Sequence, residues 1–147
     1  MKFLVVLATL FAVAQAQLFV NLPNAGSTLV PGQNVLVQIH EPIDTSNEAG
    51  QVEVSLVIGL VPCGTAACPA PAADLGEILF IGQYQPQGAT SAPLDTFENF
   101  TFVVPSDISG AASIQVQHNF LTTLPGPKSE PGVEYASFPV EVGSAGA

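Results

Sequence analysis

Apolar and polar residues alternate along most of the chain. The alternating runs are short and are closed by Gly, Pro, Asn or Asp, a pattern of strands and turns. Leu18 to Asn21 opens the series, and Pro31-Gly32 makes a turn before Asn34 to Ile39. In that second run Val35, Val37 and Ile39 share one face, with Leu36 and Gln38 on the other. Gln51 to Leu60 is the longest run; strict alternation puts Val52, Val54, Leu56 and Ile58 together and Glu53 and Ser55 opposite. Gly76 to Gln83 is a strand carrying Ile78, Leu79, Phe80 and Ile81. From Phe97 to Val104, the residues Phe100, Phe102 and Val104 take the core face, which sends Asn99, Thr101 and Val103 outward. Ala112 to Phe120 places Ile114, Val116 and His118 on one side and Ser113, Gln115 and Gln117 on the other. A Pro-rich loop, Pro125 to Pro131, leads to the last strand, Val133 to Val142.

No stretch sustains a helical period, so there is no room for the crossover helices that parallel sheets require. Seven short strands in one domain-sized chain predict an all-β fold: an immunoglobulin/fibronectin III-like antiparallel β-sandwich. A small closed barrel is the alternative. The Cys…Trp…Cys pattern of antibody domains is absent, since the chain has no Trp and both cysteines fall in one loop. No repeat or linker divides the chain.

The first residues read differently. Met1-Lys2, the apolar run Phe3 to Val13 and Ala14-Gln15-Ala16 have the layout of a secretory signal peptide. A spanning helix needs roughly 20 apolar residues, more than this run supplies. The expectation is a leader over residues 1–16, cleavage after Ala16, and a single β-sandwich domain over residues 17–147 of a secreted, extracellular protein. The tail Val142 to Ala147 has no hydrophobic stretch of the kind a lipid anchor uses.

Compartment changes the reading of Cys63-Gly64-Thr65-Ala66-Ala67-Cys68: in an oxidising environment this spacing reads as a local disulfide, Cys63 with Cys68. Closing so short a loop contributes about 2 kcal/mol in the chain-entropy model. Charge narrows the partners. The 147-residue chain carries 12 acidic residues against two lysines, for a net charge of −10. Such a chain has no electrostatic footprint for nucleic acid or for an anionic membrane surface. Lys2 leaves with the leader, so Lys128 is the last basic side chain besides the histidines.

Candidate chemistry is sparse. His40 and His118 read as unrelated polar positions at strand ends, without a third ligand that spacing can reveal. Secreted copper oxygenases that cleave polysaccharides use a mature N-terminal His, where this chain would present Gln17. No Gly-x-Ser-x-Gly elbow, P-loop, kinase or zincin motif occurs. A carboxylate pair such as Asp95 with Glu98 could in principle serve glycoside hydrolysis, but most acids in such a chain are solvated turn residues. The expectation is therefore no catalytic, cofactor-binding or metal-ligating residue and no cofactor. Asn99-Phe100-Thr101 is an N-glycosylation sequon on the outward face of its strand, which marks Asn99 as the acceptor.

The ordered segments resemble the fungal necrosis-inducing secreted protein (Nis) family of effectors. They are Val30-Pro31-Gly32, then Val54 to Gly59, Asp74 to Leu79 with Ile81 to Tyr84, Phe97 to Pro105, Ile114 to Phe120 with His118, and Pro139 to Val142. Together they cover nearly the whole mature chain, while the Cys63–Cys68 loop departs from the pattern as an insertion. The resemblance implies a non-enzymatic, secreted effector that reaches the host, binds plant receptor-like or receptor-associated cytoplasmic kinases, suppresses immune signalling and is associated with cell death. It transfers no individual binding residue. A β-sandwich can bind through end loops or an edge strand, and Leu18 to Asn21 and Val133 to Val142 are the edge candidates. A cell-wall-associated or carbohydrate-binding β-sandwich is the competing reading, weakened by the absence of Trp.

Overall fold

Strands joined by turns and loops build the described part of the chain. The computed structural model describes residues 18–42, 50–65, 67–88 and 95–144, and no helix occurs among them. The expected leader, residues 1–16, and Gln17 lie outside the described residues. Nine strands follow in order: β1 (Phe19–Leu22), β2 (Thr28–Leu29), β3 (Asn34–Pro42), β4 (Gln51–Pro62), β5 (Glu77–Gly82), β6 (Gln87–Gly88), β7 (Asp95–Val103), β8 (Gly110–Thr123) and β9 (Ser129–Val142). Seven match the sequence-derived runs; β2 and β6 are two-residue additions too short for alternation to reveal.

The strands form two sheets, ordered β1-β3-β7-β6 and β2-β9-β8-β4-β5. All described pairs are antiparallel except β2 with β9. With β1, β3, β4, β6, β7, β8 and β9 taken as A, B, C, D, E, F and G, the orders are A-B-E-D and G-F-C, with β5 added beside C. That is the immunoglobulin-type sandwich, in agreement with the sequence. Its core lies between the sheets: Val37, Ile39 and Phe100 from the first meet Leu56, Ile58, Ile114, Val116 and Val140 from the second.

Two features depart from simple alternation. The β4–β8 register shifts between Glu53 and Ser55, a bulge that inserts Val54. Val52 and Val54 are therefore 49% and 44% exposed, whereas Leu56 and Ile58 are fully buried. The single face expected for all four is corrected by the bulge, and Glu53 turns inward instead. On β8, Ser113 and Gln115 are buried although they face away from the inter-sheet core. The cause is the loop from Cys63 to Gly76, which folds back over the outer side of the second sheet. Gln115 Nε2 donates to the Pro69 carbonyl at 3.0 Å. Gly59 admits this approach, since a Cβ there would stand 2.0 Å from the Leu75 carbonyl oxygen. The Cys63–Cys68 disulfide closes the loop, with an S–S distance of 2.01 Å.

Candidate functional site

The inner faces are apolar in the middle of the sandwich and become polar towards one end. On β3 the inward series Val35, Val37, Ile39 continues to Glu41. On β8 Ile114 and Val116 are followed by His118, which is 0% exposed. The bulge on β4 brings in Glu53, and the β9 partner of His118 is Glu134. Two sheets and four strands thus converge on one imidazole and three carboxylates.

His118 Nε2 contacts Glu53 Oε2. Its Nδ1 lies 3.8 Å from Glu134 Oε2, beyond hydrogen-bond reach, and has no hydrogen-bond partner among the described residues. One ligand-type atom each from Glu41, Glu53 and His118 lies within 4.8 Å of the others. Glu41 accepts a hydrogen bond from Gln51 Nε2. Tyr84 and Phe120 wall the imidazole, with ring centroids 5.2 and 5.3 Å away. The Tyr84 hydroxyl donates to the Ile39 carbonyl at 3.3 Å.

Crowded carboxylates set the electrostatics. Burial and the charge of Glu53 push the Glu41 pKa up to about 7, against the opposing pull of His118. For His118, burial alone would lower the pKa, but Glu134 and Glu53 outweigh it and push it up to about 9. Burial, then Glu41 and Glu53, drive the Tyr84 pKa upward. Crowding at this end of the sandwich thus favours the protonated forms of both Glu41 and His118.

The sequence-derived candidates are dispersed. His40 faces outward, between Phe19 and Phe97 at ring separations of 5.2 and 5.3 Å, and its Nε2 lies 2.8 Å from Gln38 Oε1. The expectation that His118 is an isolated strand-end position is corrected: it anchors a convergent cluster. Glu98 is engaged by the Gln85 backbone N–H at 2.6 Å, while the Asp95 side chain lies outside the described residues. Asn99 sits on the exposed outer face of the first sheet, where its side-chain oxygen accepts from Gln38. Of the two edge candidates, β1 borders the first sheet, and β9 meets β2 only at Glu141 and Val142. The strand edge β5 was not anticipated; it carries Ile81 at 74% exposure.

Among the described residues no helix is long and apolar enough to cross a membrane. The class defined by this architecture is the immunoglobulin-like β-sandwich. No protein-family model matches the chain, and no curated protein does. It is similar in fold to the cellulose-active LPMO CelS2, whose structure was solved in complex with copper. The identity is 16% and the TM-score 0.46, covering 82% of this chain and 54% of that one. The chain thus spans about half the length of that protein.

Proposed function

We propose that this chain is a secreted, effector-like protein that binds host immune kinases, suppresses plant immune signalling and promotes host cell death, with no chemistry of its own. The resemblance to the Nis family supports this reading. The structural observation that carries it is a groove of about 410 Å³ between β1 and β9, lined by Leu18, Phe19, Val20, Tyr135, Ala136 and Phe138. Among the described residues, on this side β1 has no strand partner and β9 has none along Tyr135 to Phe138. An extended segment of a protein partner can add there as a strand. The acid-rich chain suits a basic kinase surface, so binding weakens steeply as salt rises.

The carbohydrate reading would use the outer face of the first sheet, where Phe19, His40 and Phe97 form a row. His40 and Phe97 stack on each other at an interplanar angle of 17°, which takes up one face of each and leaves Phe19, 41% exposed, as the open ring of the row. The test is binding of the secreted protein to kinase domains of plant immune receptors, with insoluble glucan and chitin alongside. Saturable kinase binding with reduced phosphorylation, lost on Ala136→Arg in the groove, supports the effector reading. Polysaccharide retention without kinase binding overturns it.

A further inference from the structure

The inner end of the sandwich gathers more carboxylates than its one imidazole can neutralise. Glu41 comes from the first sheet; Glu53, His118 and Glu134 come from the second. A fully buried histidine is rarely left with an unpartnered ring nitrogen, because an unsatisfied buried polar atom carries a desolvation penalty. Here Nδ1 is such an atom, with a carboxylate oxygen 3.8 Å away.

We propose that Glu41, Glu53 and His118 form a binding site for one divalent transition-metal ion of zinc type, which cross-links the two sheets. The donor set is one imidazole nitrogen and two carboxylate oxygens, a set that suits a borderline ion with its fourth position left to water. Donors around one tetrahedral zinc stand roughly 3.3 Å apart. The three side chains already place theirs within 4.8 Å; small rotations of the two half-buried glutamates would draw Glu41 in and ease Glu53 back from the Nε2 it contacts. With Nε2 on the metal, Nδ1 carries the proton and turns it to Glu134, the outer carboxylate that commonly orients a metal-bound histidine. The bound ion replaces protons, because ligands must be deprotonated to coordinate.

Such an ion has a structural consequence. Antibody-type domains tie their sheets together by a disulfide; here the disulfide lies within one loop. The metal would provide the missing tie between β3 and the β4–β8 pair, while the burial of His118 keeps bulky substrates away from it.

The test uses full-length chain expressed with its own leader, purified from the medium and stripped with a chelator. Zinc(II) is titrated by equilibrium dialysis, with the melting temperature followed in parallel. One ion per chain is expected, with a rise in melting temperature of roughly 5–10 °C at a hundredfold excess over Kd. Glu41→Gln and Glu53→Gln each weaken binding at least tenfold, and Glu134→Gln does so by roughly 10–100-fold. Glu141→Gln, on exposed surface, and His40→Gln leave binding unchanged. A folded protein that retains no zinc and shows no thermal shift overturns the proposal. So does zinc binding that survives both Glu41→Gln and Glu53→Gln, or that vanishes in His40→Gln.

Discussion

The two ends of the inner layer are built from the same strands but by different physics. At the apolar end Ile58 opposes Val116 on the neighbouring strand, and Val37 packs across from the other sheet, all fully buried. Two residues along, the Leu56–His118 pair marks the change. Leu56 faces the apolar core, and His118 opens the polar end with Glu41, Glu53 and Glu134. The apolar end gains stability from area removed from water and from close packing. At the polar end, every buried charge carries a desolvation cost that only a well-placed partner offsets. By this accounting, apolar residues of similar volume are expected to hold this end together at least as well as its charged groups do.

Paired substitutions separate the two kinds of end most strongly. Leu56→Ala is expected to cost about 2–5 kcal/mol through a cavity. His118→Ala is expected to cost about 3–5 kcal/mol because it leaves buried carboxylates without their cation. The ends differ in how they are repaired. His118→Leu combined with Glu53→Met recovers most of that loss in chelated buffer, since it removes the contacting ion pair and leaves only Glu41 and Glu134, both partly open to solvent. Urea unfolding of the four proteins decides the matter. If the double variant is as weak as His118→Ala, the polar end is an integral part of the framework and the contrast between the ends fails.

Acidity gives a smaller but more specific contrast, because only the polar end titrates. Glu41 and His118 both hold protons more tightly when folded. Glu41 rises from the ordinary carboxylate value to about 7, and His118 rises to about 9. A group with a raised folded pKa contributes stability that is present below its unfolded pKa and is lost as pH climbs through the folded one. Metal-free protein should therefore lose stability from about pH 4.5 to 7 through Glu41, and from about pH 6.5 to 9 through His118. At about 1.4 kcal/mol for each pKa unit the two together reach at most about 7 kcal/mol, and screening by water at the half-buried Glu41 lowers that to a few kcal/mol. Melting temperatures between pH 5 and pH 9 read it directly. Glu41→Gln flattens the lower part of the curve and leaves the upper part. A profile that rises with pH would show that the cluster is not charged in this way.

How much of this was readable from the residues follows the same division. Wherever a strand keeps its period, alternation located the core: Val37 and Ile39 on β3, Phe100 on β7, and Ile114 and Val116 on β8. Glu41 and His118 were visible as well, since each continues an inward series at its correct phase. A polar residue at a core phase near a strand end is the available signal, but taken singly it marks no cluster. Glu53 was hidden for a physical reason. The bulge at Val54 reverses the phase of the residues before it, and nothing in Gln51 to Ser55 announces it, there being no glycine. Convergence was also unreadable, because Glu41 and His118 lie on different sheets and only the packing of the sandwich brings them together. The covering of Gln115 by the Cys63–Gly76 loop was unreadable too; a polar residue on an outward phase looks solvated until a distant segment folds over it.

The outer face of the first sheet supplies the baseline for both ends, and there the smallest effect is expected. Asn99 and Thr101 are exposed on β7, with Phe100 between them pointing into the core. Thr101→Val removes the hydroxyl that the glycosylation sequon requires but keeps a β-branched side chain that fits the strand. It leaves Asn99 in place to accept from Gln38. Stability should change by less than about 0.5 kcal/mol, as is usual for exposed positions without a buried partner. The mass of the protein secreted from a eukaryotic host should fall by one glycan. An unchanged mass would mean that Asn99 is not modified. A stability loss comparable to that of Leu56→Ala would mean that this face is covered in the folded protein, and that it belongs with the interior rather than serving as its reference.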